Sequence, residues 1–344
     1  MPIHYGSIVD EHHACRQAAA LFDVSHMGRL RFDGQGAAQL LDHLLTRRVS
    51  DLAAGRVRYS LMCNAEGGVL DDVLVSHLAT PSGSHYHLLV VNASNRAKIL
   101  RWIAPHLADF PGVTMSDRTE LTAMIAVQGP RALEVCGRLF KADLSKLRYY
   151  HGVITEQFSK PAIVTRTGYT GEDGIELIVR AEEAGRVWEN LMLVGRDHGF
   201  SPAGLGARDT LRMEAGMPLY GHELNEQIHP IEAGLGFACN LTGRSFVGDE
   251  ALRAASESSV ARRRIGLLPA GRRPVREGSP ILAADGSVIG EVTSGGPAPT
   301  LGYPIAMGYV GQEHATVGQS LQIDNRGRPQ DAVVTALPFY KRGQ

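Results

Sequence analysis

From about residue 260 the chain breaks into short apolar pieces separated by Gly/Pro turns: RRIGLLP, PILAADGSVIGEVTSG, AMGYV, SLQID and DAVVTALP. Short strands at this spacing predict a β-barrel or sandwich. Upstream the texture is mixed, with helical and extended patterns alternating. The 39 glycines sit mostly at turns, which favours a β-rich chain with tight connections.

Asp10 is a candidate cap for a helix over about 10–20, and FDVSHMGRLRFDG reads as one strand. AAQLLDHLL (37–45) is a short amphipathic helix. Residues 57–63 and 69–76 are two strands joined by a five-residue loop, 64–68, and 85–92 adds a third. Ser94 is placed to cap a helix over 95–107. This order predicts an α+β domain on an antiparallel sheet. Further on come a strand at 120–130 with Pro130 in a first helical turn, a hairpin over 163–179, and a helix over 182–199 closed by Gly199. Another helix follows a glycine-rich entry within 202–221. There is no internal repeat.

Thirty-five basic against 36 acidic residues give a formal charge of −1, so nothing points to nucleic acid or an anionic membrane surface. No apolar run approaches the ~20 residues of a membrane span. Cys15, Cys63, Cys136 and Cys239 lie far apart with no CxxC spacing, and read as buried thiols of a reducing compartment. The opening MPIHYGSIVDEHH lacks the pattern of a signal peptide. The expected location is the cytoplasm, or an organellar matrix after processing. EHHAC is not HExxH, and no His/Cys/carboxylate group has ligand spacing, so no metal is expected. No GxSxG elbow and no GxGxxG after a strand appears.

GGVLDDVLV (67–75) places adjacent aspartates inside a strand, where ionised groups are costly to bury. Alternation puts Val69, Asp71, Val73 and Val75 on one face and Leu70, Asp72 and Leu74 on the other. At least one carboxylate therefore looks toward an apolar layer, as a structural acceptor or as a functional group that holds a protonated nitrogen. GYTGEDG (168–174) has no GK[ST] and lies between strands, so it is a plain turn or a hairpin apex presenting Tyr169 and Glu176 to a pocket. In GLGARD (204–209), glycines before a helix offer backbone N–H groups to an anion. Arg208 in the first turn opposes the helix dipole, which leaves a surface salt bridge or a carboxylate from elsewhere as its partner.

Longer stretches carry a resemblance. DVSHMGR (23–29), YSLMCNAEGGVLDDVLV (59–75), VVNASN (90–95), RTGYTGEDGIEL (166–177), PAGLGARDTLRMEAGMPLYGHEL (202–224), PIEAGLGF (230–237), GEVTSGGPAPTLGYPIAMGYV (290–310) and LPFYKR (337–342) are similar to the aminomethyltransferases, the T-proteins of the glycine cleavage system. The resemblance runs the length of the chain. It implies an α+β, three-domain cloverleaf of antiparallel sheets with helices and a C-terminal β-barrel or jelly-roll-like domain, with the ligand in the central opening. The implied domains are 1–30 with 119–235, then 31–118 carrying Asp72, then 236–344.

The implied reaction moves the carbon of an aminomethyl group from the lipoyl arm of an H-protein partner to tetrahydrofolate as co-substrate. It gives 5,10-methylenetetrahydrofolate, ammonia and dihydrolipoyl H-protein, with neither metal nor flavin. By the same resemblance Asp72 is the catalytic carboxylate, and Met27, Tyr59, Asn92, Tyr169, Glu176 and Arg208 line the folate pocket. Lys341 and Arg342 are candidates for the folate glutamate tail. Family members usually begin further upstream, with a segment ending in a GW-x-MP-like stretch. The start at MP implies a first domain with a partly uncovered apolar patch.

A folate-dependent demethylase of the same fold is the alternative reading. The folate-binding proteins of iron–sulfur cluster maintenance carry a KGCYxGQE-like segment where this chain has RSFVGDE (244–250). A flavin-linked oxidase would need a further nucleotide-binding domain.

Overall fold

The computed structural model describes residues 1–157, 159–258 and 261–343, which build three sheets. The first has the order Phe200–Pro202, Ala19–Asp23, Thr122–Gln128, Gly174–Arg180, Lys160–Thr165, Gly152–Gln157. The second, from the chain between the first sheet's Ala19–Asp23 and Thr122–Gln128, has the order Val57–Cys63, Val69–Ala79, His85–Val91, Gly28–Asp33, Thr114–Asp117. The third is a closed barrel of Arg262–Pro269, Tyr303–Gly311, Val288–Ala298, Pro280–Leu282, Ser320–Asp324 and Pro329–Thr335. Closure removes the unpaired edges that an open sheet of short strands would expose.

Every strand pair is antiparallel except Ala19–Asp23 with Phe200–Pro202, which run parallel. The expectation of purely antiparallel sheets fails at this one edge. Phe200–Pro202 is entered through the helix Ala184–Gly195 rather than a hairpin, so no tight turn imposes the antiparallel direction.

Local patterns shift where tertiary packing overrides them. The first helix is Ile8–Gln17, capped by Ser7, whose Oγ accepts the Asp10 N–H at 3.3 Å, so Asp10 is not the cap. Ala19 and Ala20 leave the expected helix and open the strand Ala19–Asp23, because alternation buries both of its faces. Ala19 and Leu21 pack into the outer core of the first sheet, while Ala20 and Phe22 pack into the layer between sheets. FDVSHMGRLRFDG is likewise two strands, broken at 24–27 by a turn in which the Met27 N–H donates to the Val24 carbonyl at 3.0 Å. The chain thus passes from the first to the second sheet before residue 28, short of the expected boundary at 30. Ser94 lies inside a 3-10 turn, Ala93–Asn95, ahead of the helix Arg96–His106. Pro130 precedes the helix Ala132–Cys136 instead of opening it.

Helices Ala37–Leu44 and Arg96–His106 cover the outer face of the second sheet through Leu40, Leu41, Leu44, Ile99 and Ile103. Each such side chain contributes about 1.5–3 kcal/mol on burial. Phe22, Met124 and Ile178 of the first sheet meet Leu78, Leu88 and Val90 of the second, with Leu211 of the helix Leu205–Glu214 closing the layer. The stretch 236–258, expected with the barrel, packs chiefly on the hairpin of the second sheet through Phe246 and Leu252; the barrel strands begin only at Arg262. Among the described residues no helix is long and apolar enough to cross a membrane.

Candidate functional site

The two aspartates divide their work by facing opposite ways, and a β-bulge decides which neighbours each keeps. Met62 pairs with Asp71 but Cys63 pairs with Val69, so Leu70 is the extra residue. Alternation slips there. Leu70 joins Val73 and Val75 under the helices, while Val69 turns to the opposite side with Leu61 and Cys63. The expected grouping of Val69 with Asp71 is therefore wrong, although Asp71 and Asp72 do point to different faces.

Asp71 is 0% exposed and works as a structural acceptor. It takes the Asn92 backbone N–H at 2.9 Å, the Asn92 side-chain amide at 2.8 Å and the Asn95 amide at 2.7 Å. These bonds tie the strand Val69–Ala79 to the turn that starts the helix Arg96–His106. Asp72, half-buried, faces a cavity. The Asn92 amide donates to its Oδ1 at 2.7 Å and the Tyr59 hydroxyl to its Oδ2 at 3.3 Å. One asparagine thus fixes both carboxylates.

Burial raises both aspartates above the usual carboxylate range. For Asp71 the charge of Asp72 adds to it, against the three amide donors, and carries it to about 7. The folded protein therefore holds a proton that the unfolded chain has released above about pH 4. The associated stability is full below that value and is lost as pH rises through about 7. Asp71→Asn removes this titration. The variant's urea midpoint should fall less than the wild type's between about pH 5 and pH 8; equal falls would put the pH dependence elsewhere.

The cavity, about 790 Å³, opens where the three sheets and the helix Leu205–Glu214 meet. Met27, Tyr59, Asp72, Asn92, Tyr169, Glu176 and Arg208 all line it. Glu176 sits in strand Gly174–Arg180 opposite Thr165, and accepts the Thr167 hydroxyl; burial raises its pKa. Tyr169, at the apex between the two strands, donates its hydroxyl to the Pro218 carbonyl. The Arg208 guanidinium lies 4.7 Å from the Tyr169 ring centroid, and its Nη1 is buried without a hydrogen-bond partner among the described residues. It is not a surface salt bridge. Burial pulls its pKa down while Tyr169 and Glu176 act in the opposite sense. An unpaired buried donor of this kind is poised to meet an acceptor that enters the cavity.

Two expectations move. The N–H groups of Gly204, Leu205 and Gly206, at the entry to the helix Leu205–Glu214, are not free for an anion. Leu205 and Gly206 donate to the carbonyls of Pro2 and Ile3 at 2.9 and 2.8 Å, and Gly204 donates to the Glu11 carboxylate at 2.9 Å. Lys341 and Arg342 do not line the cavity; Arg342 lies 3.6 Å from Asp173 and over the Tyr149 ring.

The cavity also contains residues that pattern reading missed: His26, Tyr150, Tyr220, Phe237 and Arg264. Phe237 stacks on Tyr59 at 6.4 Å and 22° yet is 68% exposed. An aromatic closing the loop GLGF was its only signal. Arg264 bonds the Ala233 and Gly216 carbonyls at 2.9 and 3.0 Å, tying a barrel strand to two cavity-wall segments.

Against known proteins, residues 1–243 match the family described as the GCVT N-terminal domain. Residues 262–341 match the glycine cleavage T-protein C-terminal barrel domain. An aminomethyltransferase of Saccharopolyspora erythraea is 45% identical over 343 residues, spanning 99% of this chain and 92% of that protein. One of Moorella thermoacetica is 45% identical over 342 residues, with the same shares. The crystal structure of the glycine cleavage system aminomethyltransferase T from Bartonella henselae superposes with a TM-score of 0.92 at 32% identity, over 99% of this chain and 92% of that one. Fold and sequence agree from the first sheet to the barrel, and the chain belongs to the glycine cleavage T-protein family of aminomethyltransferases.

Proposed function

We propose that this protein moves the carbon of an aminomethyl group from the lipoyl arm of an H-protein to tetrahydrofolate, with Asp72 as its catalytic carboxylate. The carbon stays at the formaldehyde level, so the transfer itself needs no electron carrier. It leaves sulfur and nitrogen and ends bridging N5 and N10 of the folate. The two protons lost by N5 and N10 depart with ammonia and with the lipoyl thiol.

The observation that carries this reading is the Asp72 carboxylate, facing the cavity and held from two sides by Asn92 and Tyr59. A carboxylate fixed beside N10 orients that nitrogen and takes up its proton. Its raised pKa brings it closer to an amine's proton than an ordinary aspartate would be. In the same reading Glu176 accepts from donor nitrogens of the pterin, and Arg208 meets an anionic part of the substrate through its unpaired Nη1. Met27, Tyr59, Asn92 and Tyr169 complete the pocket. Leu205, Phe237 and Val317 are apolar, exposed and on the cavity wall, which suits the apolar stem of a lipoyl arm.

We also read the chain as three domains built on the three sheets, with the first crossing at 24–27 in place of 30. The four free cysteines favour a reducing cytoplasm as its location.

The test is methylenetetrahydrofolate formation in the presence of both tetrahydrofolate and aminomethyl-loaded H-protein. Product that requires both is the expected result. Tetrahydrofolate binding without product, under the same conditions, would overturn the reading.

A further inference from the structure

A second concavity, about 400 Å³, lies on the barrel and is lined by Arg273, Pro274, Arg276, Asn325, Arg326 and Arg328. Its two walls are the loop after strand Arg262–Pro269 and the turn between strands Ser320–Asp324 and Pro329–Thr335. Both strands that lead to it also touch the central cavity, at 263–266 and 334–335. At about 3.3 Å per residue, the second pocket lies roughly 15 Å further along them.

The two walls are braced before any ligand arrives. The Gln330 amide donates to the carbonyls of Ala270 and Arg273 at 2.7 and 2.9 Å. The Asn325 amide donates to Gln330 Oε1 at 2.8 Å and reaches the Pro274 carbonyl at 3.4 Å. Asn325 N–H closes the turn on the Arg328 carbonyl at 2.9 Å, around Arg326 in a left-handed conformation with φ 59°. Of the nearby carboxylates, Asp324 accepts the Gly327 N–H within the same turn, and Glu277 pairs with His222.

None of the four arginine side chains has an ion-pair or hydrogen-bond partner among the described residues, unlike Arg16, Arg96 and Arg212. All four are exposed, so water and salt screen their mutual repulsion, and an anion seated between them would replace it with attraction. Their planar donor forks match phosphate and carboxylate oxygens. No aromatic side chain lines the pocket, so nothing there would stack a base, and an overall formal charge of −1 gives a long polyanion no general attraction to the chain.

We propose that this pocket is a second binding site, remote from the transfer chemistry, for a compact oxyanion carrying several adjacent negative charges, of the diphosphate type. The test is titration calorimetry on the full chain with inorganic pyrophosphate at about 0.15 M salt. Orthophosphate and a glutamate-rich peptide of the same charge serve as the other arms. The proposal expects saturable one-to-one pyrophosphate binding, weaker orthophosphate binding and no saturable peptide binding. Arg273→Gln with Arg328→Gln should weaken pyrophosphate by about tenfold or more, with aminomethyl transfer and melting temperature in the absence of anion no lower than in the wild type. Absence of saturable binding, or equal binding by the double variant, would overturn it. Tighter binding of the peptide would also overturn it, in favour of an acidic protein segment.

Discussion

Asp72→Asn is expected to lower the rate of methylenetetrahydrofolate formation by about 10²- to 10⁴-fold, the usual worth of a positioned acid–base group. The change is isosteric. Its amide oxygen can still accept the Asn92 donor that holds Oδ1 at 2.7 Å, so the turn at Asn92 stays in place. On the proposed reading, what disappears is the ability to carry a proton from N10. The loss should therefore fall on kcat, with tetrahydrofolate affinity within a few-fold of wild type by calorimetry. Asp71→Asn is the control, because its carboxylate is fully buried and bonded to Asn92 and Asn95 rather than open to the cavity. It should cost stability far more than turnover. An Asp72→Asn enzyme that stays within tenfold of wild type would remove Asp72 from the chemistry.

The division between the two aspartates was only half visible in GGVLDDVLV. Period-two alternation is a local property of the backbone, so it correctly set Asp71 and Asp72 on opposite faces. The bulge beside them comes from a distant segment. The Val69 N–H is drawn to the carbonyls of Asn225 and Ile228, both at 3.1 Å, which takes it out of regular pairing. Gly68 permits this approach, since a Cβ there would lie 1.8 Å from the Glu226 carbonyl oxygen. Nothing within 67–75 reports a loop at 225–228. The same contrast runs through the site. Arg208 was legible as a conflict with its own helix dipole, but its stacking on Tyr169 depends on a hairpin more than thirty residues away. The hairpin of Tyr169 and Glu176 was legible because turn residues and alternation are local. Phe237 and Arg264 were not, because their positions are set by the meeting of barrel and sheets.

The largest stability effect is expected from Glu223→Gln. Glu223 is 0% exposed and its Oε2 lies 2.8 Å from Nη1 of Arg212, itself 2% exposed. The pair joins three parts of the cavity wall. Arg212 belongs to the helix Leu205–Glu214 and also donates to the Ser294 hydroxyl of the barrel at 2.8 Å. Glu223 accepts the Leu219 N–H at 3.0 Å and the Thr293 hydroxyl at 2.6 Å. Burial alone would raise Glu223, but the Arg212 charge, the hydroxyls of Ser294 and Thr293 and the Leu219 N–H outweigh it and hold it below its usual value. The stability that follows is present above the unfolded value of about 4.3 and is lost as pH falls through the lower folded one. Glutamine keeps the shape but turns an NH₂ toward donors and leaves the buried guanidinium only the exposed Asp209, 2.8 Å from its Nε, as a counter-charge, a loss toward the lower end of about 3–5 kcal/mol. Since residues 215–220 line the cavity and the Pro218 carbonyl anchors Tyr169, the Michaelis constant for tetrahydrofolate should rise with it. Urea unfolding at neutral pH measures the first effect, and the gap to wild type should narrow as the medium is acidified. Replacing both partners with apolar residues, Arg212→Met with Glu223→Leu, should recover much of the stability because no buried charge is left unpaired. It should not recover substrate affinity, because the bonds that hold the 215–220 wall would still be missing. A single variant within about 1 kcal/mol of wild type would mean that Asp209 alone compensates Arg212, and that the wall is held by the barrel contacts alone.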